Sequence, residues 1–198
     1  MSLTTSLASL ALALSLATPP EAEPPRWTAE LRGGLLGLYA SGAAGPGGFP
    51  RGPGGELGIG RVLFENVELE LAAGVFRAIV HRAATTVTEV PLTLSAKIFG
   101  PADLGFRPYL VGGVGYHLAW FDVTTAAPAA TFHDAGQAWG GQIGIGATRA
   151  LGPRFALGGD VRYQFLQVAT PSRLHFAAGD EAAVLDGFRF ALTATTRF

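Results

Sequence analysis

The feature that most limits what this chain can fold into is a strict two-residue alternation of apolar and polar side chains, repeated in segment after segment. Phe155, Leu157, Val161, Tyr163 and Phe165 fall on one face against Arg154, Asp160, Arg162 and Gln164 on the other. Phe188, Phe190, Leu192, Ala194 and Phe198 oppose Arg189, Thr193, Thr195 and Arg197 in the same way. Val90, Leu92, Leu94, Ala96 and Ile98 oppose Pro91, Thr93, Ser95 and Lys97, and Val67, Leu69, Leu71, Ala73 and Val75 oppose Glu68, Glu70, Ala72 and Gly74. Successive side chains of a strand point to opposite sides, so the pattern predicts strands with one apolar face. Adding Trp27 to Ala40, Glu56 to Phe64, Arg107 to Phe121 and Ala138 to Thr148 gives eight strands, an even number that closes as an up-and-down antiparallel barrel.

The connections are predicted to alternate in length. Ser41 to Gly55, Asp122 to Gln137 and Ala169 to Asp186 read as long loops, whereas Glu65 with Asn66, Gly100 to Phe106 and Arg149 to Pro153 read as short turns. The break between the third and fourth strands falls around Arg82 to Thr86. Long loops at one end and tight turns at the other are the pattern of a transmembrane barrel, and both termini then lie at the turn end, in the periplasm.

Period-two alternation alone does not say whether the apolar face points inward, as in a soluble barrel, or outward into lipid. Three features favour lipid. Aromatic residues gather at strand ends, with Trp27, Phe64, Phe99, Phe106, Phe155 and Phe198 at the turn end and Tyr39, Trp120, Trp139, Phe165 and Phe188 at the loop end, as interfacial girdles do. The polar face carries small residues (Gly58, Gly60, Gly113, Gly115, Gly140, Gly144, Gly146), which a narrow eight-stranded lumen needs. That face also carries Glu30, Glu56, Glu68, Glu70 and Asp160 against Arg32, Lys97, Arg162, Arg189 and Arg197, charges of opposite sign that neutralise one another if enclosed. A lipocalin-like soluble barrel would instead have to pack Phe, Trp and Tyr from nearly every strand into its interior. The predicted fold class is all-β, an eight-stranded antiparallel up-and-down transmembrane β-barrel over residues 27–198, with a lumen filled by side chains. Two arginines break the pattern: Arg61 shares a face with Leu57, Ile59 and Leu63, which snorkelling near the turn accommodates, and Arg77 shares one with Val75 and Ile79, which suggests a bulge or a phase change after Gly74.

Ahead of the barrel, Leu3 to Ala17 form an apolar stretch too short for a transmembrane helix, with Ser15 and Ala17 at the −3 and −1 places of a cleavage site. Residues 1–17 therefore read as a secretory signal peptide, although no Lys or Arg precedes Arg26, and the Pro-rich residues 18–26 read as a spacer. Composition removes other classes. With 15% charged and 48% hydrophobic residues and a formal net charge of −1 over 198 residues, the chain is too apolar for a disordered protein and has no basic patch for nucleic acid. The absence of Cys excludes disulfides, a thiol nucleophile, Cys-ligated zinc and a lipidation site.

No catalytic, cofactor or metal site emerges from the sequence. His81, His117, His133 and His175 lack metal-ligand spacing, with His117 placed in a strand facing inward. His133 beside Asp134 reads as a polar loop tip, and as a fragment of a surface catalytic site only in second place. Asp122, Asp134, Asp180, Glu181 and Asp186 do not follow a calcium-loop pattern. Gly113-Val114-Gly115 and Gly144-Ile145-Gly146 lie inside strands, the wrong context for a phosphate loop.

Val90 to Gly100 (VPLTLSAKIFG), a short turn and Arg107 to Trp120 (RPYLVGGVGYHLAW) resemble small Gram-negative outer-membrane barrels of the OmpX, OmpW and porin-opacity type, with an OmpA-like transmembrane barrel. Phe198, preceded by alternating aromatics, is similar to the C-terminal strand that the barrel assembly machinery recognises. The resemblance covers Trp27 to Phe198 and specifies fold better than activity. It implies a monomer in the outer membrane of a Gram-negative bacterium, with outer-membrane lipid and the assembly machinery as partners. The expected function is non-enzymatic, a surface or envelope role exercised through the loops. Passage of small hydrophobic molecules through a lateral opening, as in OmpW-like barrels, is the alternative, favoured if the lumen is apolar near the loop end. An outer-membrane acyl-modifying enzyme is the third, and needs a Ser or His and an acid together at one rim.

Overall fold

The computed structural model describes residues 26–40, 51–80, 85–102, 105–126, 129–169 and 182–198. The expected leader and spacer lie outside these residues, apart from Arg26. Eight strands follow one another: β1 (Trp27–Ala40), β2 (Arg51–Phe64), β3 (Val67–Val80), β4 (Thr85–Phe99), β5 (Arg107–Ala126), β6 (Ala129–Ala150), β7 (Phe155–Ala169) and β8 (Ala182–Arg197). Each pairs antiparallel with its sequence neighbour, and β8 returns to β1 to close the barrel. At the seam Trp27 and Phe198 exchange backbone N–H···O bonds of 3.1 and 3.0 Å. Closure leaves no edge strand in the barrel wall, which a bilayer would not tolerate.

Exposure settles which face is apolar. Leu192, Trp139 and Leu57 are 78%, 73% and 67% exposed, while Lys97 and Arg162 on the opposite face are each 1% exposed. Outward Leu, Ile and Val side chains recur on every strand, from Leu31 and Leu35 on β1 to Leu192 on β8. Each large apolar side chain left in water forgoes about 1.5–3 kcal/mol of burial. Over so many residues that loss exceeds the ~5–15 kcal/mol by which a domain is stable. The exterior is therefore built to meet lipid, and the chain is a transmembrane β-barrel rather than a soluble one. No described helix is long and apolar enough to cross a membrane, and the crossing elements are the strands.

The short turns stand close to where expected: Glu65 and Asn66 join β2 to β3, residues 100–106 join β4 to β5, and residues 151–154 join β6 to β7, with Arg149 and Ala150 still part of β6. Gly105 has φ 74°, a left-handed conformation open to glycine without a Cβ clash. The expected long loop from Asp122 to Gln137 is not a loop. It continues β5 and β6 as a hairpin, paired as far as Ala126 and Ala129, with only residues 127–128 between them. Val123, Thr124, Thr125 and Thr131 are β-branched and suit extended chain. This hairpin outgrows its neighbours, because β4 pairs with β5 only up to Val123 and β7 pairs with β6 only from Gly140.

The expected bulge after Gly74 is also absent. The β2–β3 register runs unbroken through Gly74, and Phe76 and Ala78 stay inside while Val75, Arg77 and Ile79 stay outside. Arg77 simply occupies an outward position toward the loop end, where a long side chain reaches the aqueous interface. A register shift does occur near the turn, between Val62 and Phe64. Pairing of β3 with β4 is interrupted at Gly74 and Val75, opposite Pro91, which has no N–H to donate.

Candidate functional site

The inward side chains form two layers. From the turn end to mid-barrel the interior is charged. Arg32 on β1 binds Glu30 at 2.7 Å, Glu56 on β2 at 3.0 Å, and Glu70 on β3. Lys97 on β4 reaches Glu70 and Glu30 at 2.7 and 2.8 Å and Glu68 at 3.5 Å. Arg162 on β7 donates through Nε and Nη2 to the same oxygen of Asp160, at 3.0 and 2.8 Å, and the Tyr109 hydroxyl donates to that oxygen at 3.0 Å. Arg189 on β8 reaches Glu56 at 2.7 Å and Glu89 at 2.8 Å. Thr195 donates to Glu30 at 3.0 Å.

These contacts follow from strand geometry. Residues two apart on one strand share a face, so Glu30 with Arg32 and Asp160 with Arg162 arrive as preformed pairs. Barrel closure then brings β1, β2, β3, β4, β7 and β8 within one side-chain length of a common axis. Such desolvated charges hold only if each meets an opposite charge and hydrogen-bond partners. Glycine makes the room: a Cβ at Gly146 would overlap the Tyr109 ring, displacing the hydroxyl from Asp160.

Toward the loop end the interior becomes apolar. Leu36, Phe76, Ala78, Val87, Ala119, Phe121, Ala138 and Leu166 form one buried cluster. At its lower edge the Arg189 guanidinium lies 4.3 Å from the centre of the Phe76 ring, and His117 Nδ1 lies 2.7 Å from Glu89. Asp186 bridges an interruption in the β7–β8 ladder, where its carboxylate accepts from the Leu166 N–H at 2.9 Å and from the Tyr163 hydroxyl at 3.2 Å.

Of the ten charged residues expected in the lumen, nine stand in this network: Glu30, Arg32, Glu56, Glu68, Glu70, Lys97, Asp160, Arg162 and Arg189. Arg197 does not. One residue from the end of the chain, it lines the turn-end mouth of the barrel beside Arg26 and Arg107, a space of about 460 Å³. Three further participants carry weaker sequence signals. Glu89 shares the phase of Thr93, Ser95 and Lys97 but precedes Val90, the first residue of the alternation. Tyr109 is uncharged, and His117, expected to face inward, does so with a partner that its own strand does not reveal.

The aromatic residues divide less cleanly than expected. Trp27, Phe64, Phe106, Phe155 and Phe198 are exposed at the turn end, and Trp120, Trp139 and Phe165 are exposed toward the loop end. Phe188 is half-buried on the outer face against Tyr163 at 5.0 Å. Phe99 corrects the expected girdle: it shares the inward phase of Lys97 and packs on Tyr109, ring centres 5.4 Å apart, with Arg107 4.7 Å from its centre. The strand-end position suggested a girdle, but an odd-numbered residue of β4 points inside. The Tyr39 side chain lies outside the described residues. His133 pairs not with Asp134 but with Asp122 across the β5–β6 hairpin, Nδ1 to Oδ1 2.6 Å, because the two face each other in register.

Comparison with protein-family models and with curated proteins finds no match. Solved structures do match. A major outer membrane protein from Thermus thermophilus aligns over 87% of this chain and 98% of its own, at 13% identity and TM-score 0.61. Neisserial surface protein A aligns over 87% of this chain and 97% of its own, at 13% identity and TM-score 0.59. The E. coli Outer Membrane Protein W aligns over 90% of this chain and 100% of its own, at 22% identity and TM-score 0.51. At these identities the likeness is one of fold, and the fold is that of the small eight-stranded outer-membrane barrels that the sequence resembles.

Proposed function

We propose that this chain is a non-enzymatic barrel of the Gram-negative outer membrane, closed to ions by its charged interior and acting in the envelope through its loop-end surface. The observation that carries this reading is the density of the interior network: the cavity left among Arg32, Glu56, Phe76, Asp160, Arg162 and Arg189 is about 10 Å³, at or below the room one water requires. An apolar exterior supports membrane residence, and tight turns at the end that holds both strand termini support periplasmic termini. The test is planar-bilayer conductance of the folded chain. Closed or rare, small events are expected, and a steady conductance of porin size would overturn the closed interior.

A second reading has its own observation. The inward cluster of Leu36, Phe76, Val87, Phe121 and Leu166 supplies an apolar interior near the loop end, the condition for passage of small hydrophobic molecules, and the β3–β4 ladder is interrupted beside it at Gly74 and Val75. Uptake of a hydrophobic fluorophore into vesicles that carry the barrel, compared with empty vesicles, separates the readings. The enzymatic reading has the acid and the His at one rim in Asp122 and His133, yet no nucleophile among the described residues is bonded to that pair.

A further inference from the structure

Among the described residues, most of the arginines outside the lumen lie at one end of the barrel. Arg26, Arg61, Arg107, Arg149, Arg154 and Arg197 all lie at the turn end, on or beside β1, β2, β5, β6, β7 and β8, and so ring the barrel rim. Glu65 is the one exposed carboxylate side chain at that end among the described residues. Three of the arginines lie over aromatic rings: Arg61 is 5.4 Å from the centre of Trp27, Arg149 is 5.6 Å from Phe106, and Arg107 is 4.7 Å from Phe99. Trp27 and Phe106 are exposed at the lower limit of the apolar exterior, so the guanidinium groups of Arg61 and Arg149 are held where hydrocarbon gives way to headgroups.

Arg61 and Arg149 are exposed, and no ion-pair partner of either occurs among the described residues. A guanidinium stacked on a ring keeps its edge N–H groups free, and that planar fork matches the oxygens of a phosphate. These two arginines sit on β2 and β6, opposite walls of an eight-stranded barrel, which suits a ring of separate lipids better than one compact ligand.

We infer that this rim is a binding surface for anionic phospholipid in the leaflet at the turn end, with Arg61, Arg149 and Arg154 as the residues that select phosphate headgroups of net negative charge. The inference rests on the membrane-barrel reading. Its chemistry is charge complementarity at the interface: a juxtamembrane arginine favours anionic lipid by up to roughly fivefold in association.

The test uses the full chain folded into phosphatidylcholine vesicles doped with spin-labelled phosphatidylglycerol or spin-labelled phosphatidylcholine, reading the motionally restricted fraction of each label. The natural chain is expected to prefer the anionic label by about threefold or more, and the preference is expected to fall as salt is raised beyond ~0.15 M. Arg61→Gln/Arg149→Gln/Arg154→Gln is expected to lose most of the preference, whereas Arg77→Gln, a single outward change at the other end, is expected to lose far less of it. Parity in the natural chain, or an undiminished preference in the triple variant, overturns the inference. So does loss of preference on replacing chloride with inorganic phosphate at equal ionic strength, which would assign the rim to a free anion. If the triple variant does not fold, the preference and salt dependence of the natural chain decide. Failure of the natural chain to fold in phosphatidylcholine would instead overturn the membrane-barrel reading, a separate outcome.

Discussion

Arg189 on β8 and Glu89 on β4, a hundred positions apart in sequence, meet across the barrel interior at 2.8 Å, and the other arm of the same guanidinium holds Glu56 on β2 at 2.7 Å. One side chain thus ties three walls that share no backbone hydrogen bonds with one another. Its loss would leave Glu89 without its guanidinium partner and Glu56 with Arg32 alone, in a desolvated interior.

Arg189→Ala and Arg162→Ala are each expected to destabilise the barrel by ~3–5 kcal/mol, the range for breaking a buried ion pair. Arg77→Ala, at an exposed outward position, should cost at most ~1 kcal/mol. Denaturant unfolding in lipid, followed by tryptophan fluorescence, measures all three. Near-neutral Arg189→Ala and Arg162→Ala would remove the network as a source of stability.

Gly146→Val places a side chain against the Tyr109 ring and the Asp160 Cβ. Overpacking of this kind costs ~1–3 kcal/mol. Tyr109→Ala added to Gly146→Val should recover part of that loss, since it removes the ring that the new side chain meets. Purely additive effects in a double-mutant cycle would show that the two positions do not compete for space.

Phe198 is exposed on the outer face and its backbone closes the seam with Trp27. Phe198→Ala is expected to lower the fraction of heat-modifiable folded protein in the outer membrane more than Thr196→Ala, which lies on the same face with a smaller apolar surface. Equal assembly of the two variants would deny the terminal aromatic a special role.

Export predicts a mature chain that begins at Thr18, because Ser15 and Ala17 present small side chains at the cleavage positions. Intact mass of protein extracted from membranes reads this directly. Retention of Met1 in that material contradicts the leader.

Much of this architecture was legible because a strand reports its two faces in sequence order. Strand number, the outward Leu and Ile residues, and the inward pairs Glu30 with Arg32 and Asp160 with Arg162 all follow from period two. Errors arose where a local cue competed with that period. Phe99 looked like a girdle residue because it ends a strand, and Arg77 looked like a phase error because it is charged, yet each keeps the parity of its strand. The polar stretch from Asp122 to Gln137 looked like a loop because hairpins that leave the membrane lose the apolar face that marks a strand, although their backbone pairing continues.

By itself the sequence determined which side chains share a face, since that depends only on the fixed geometry of extended backbone. The tertiary structure alone decided which of them touch. Arg189 finds Glu89 and Glu56, and Arg197 stays at the mouth, because barrel closure and strand register set each inward residue's height along the axis. Those heights depend on how all eight strands are staggered, a collective quantity that no single segment encodes.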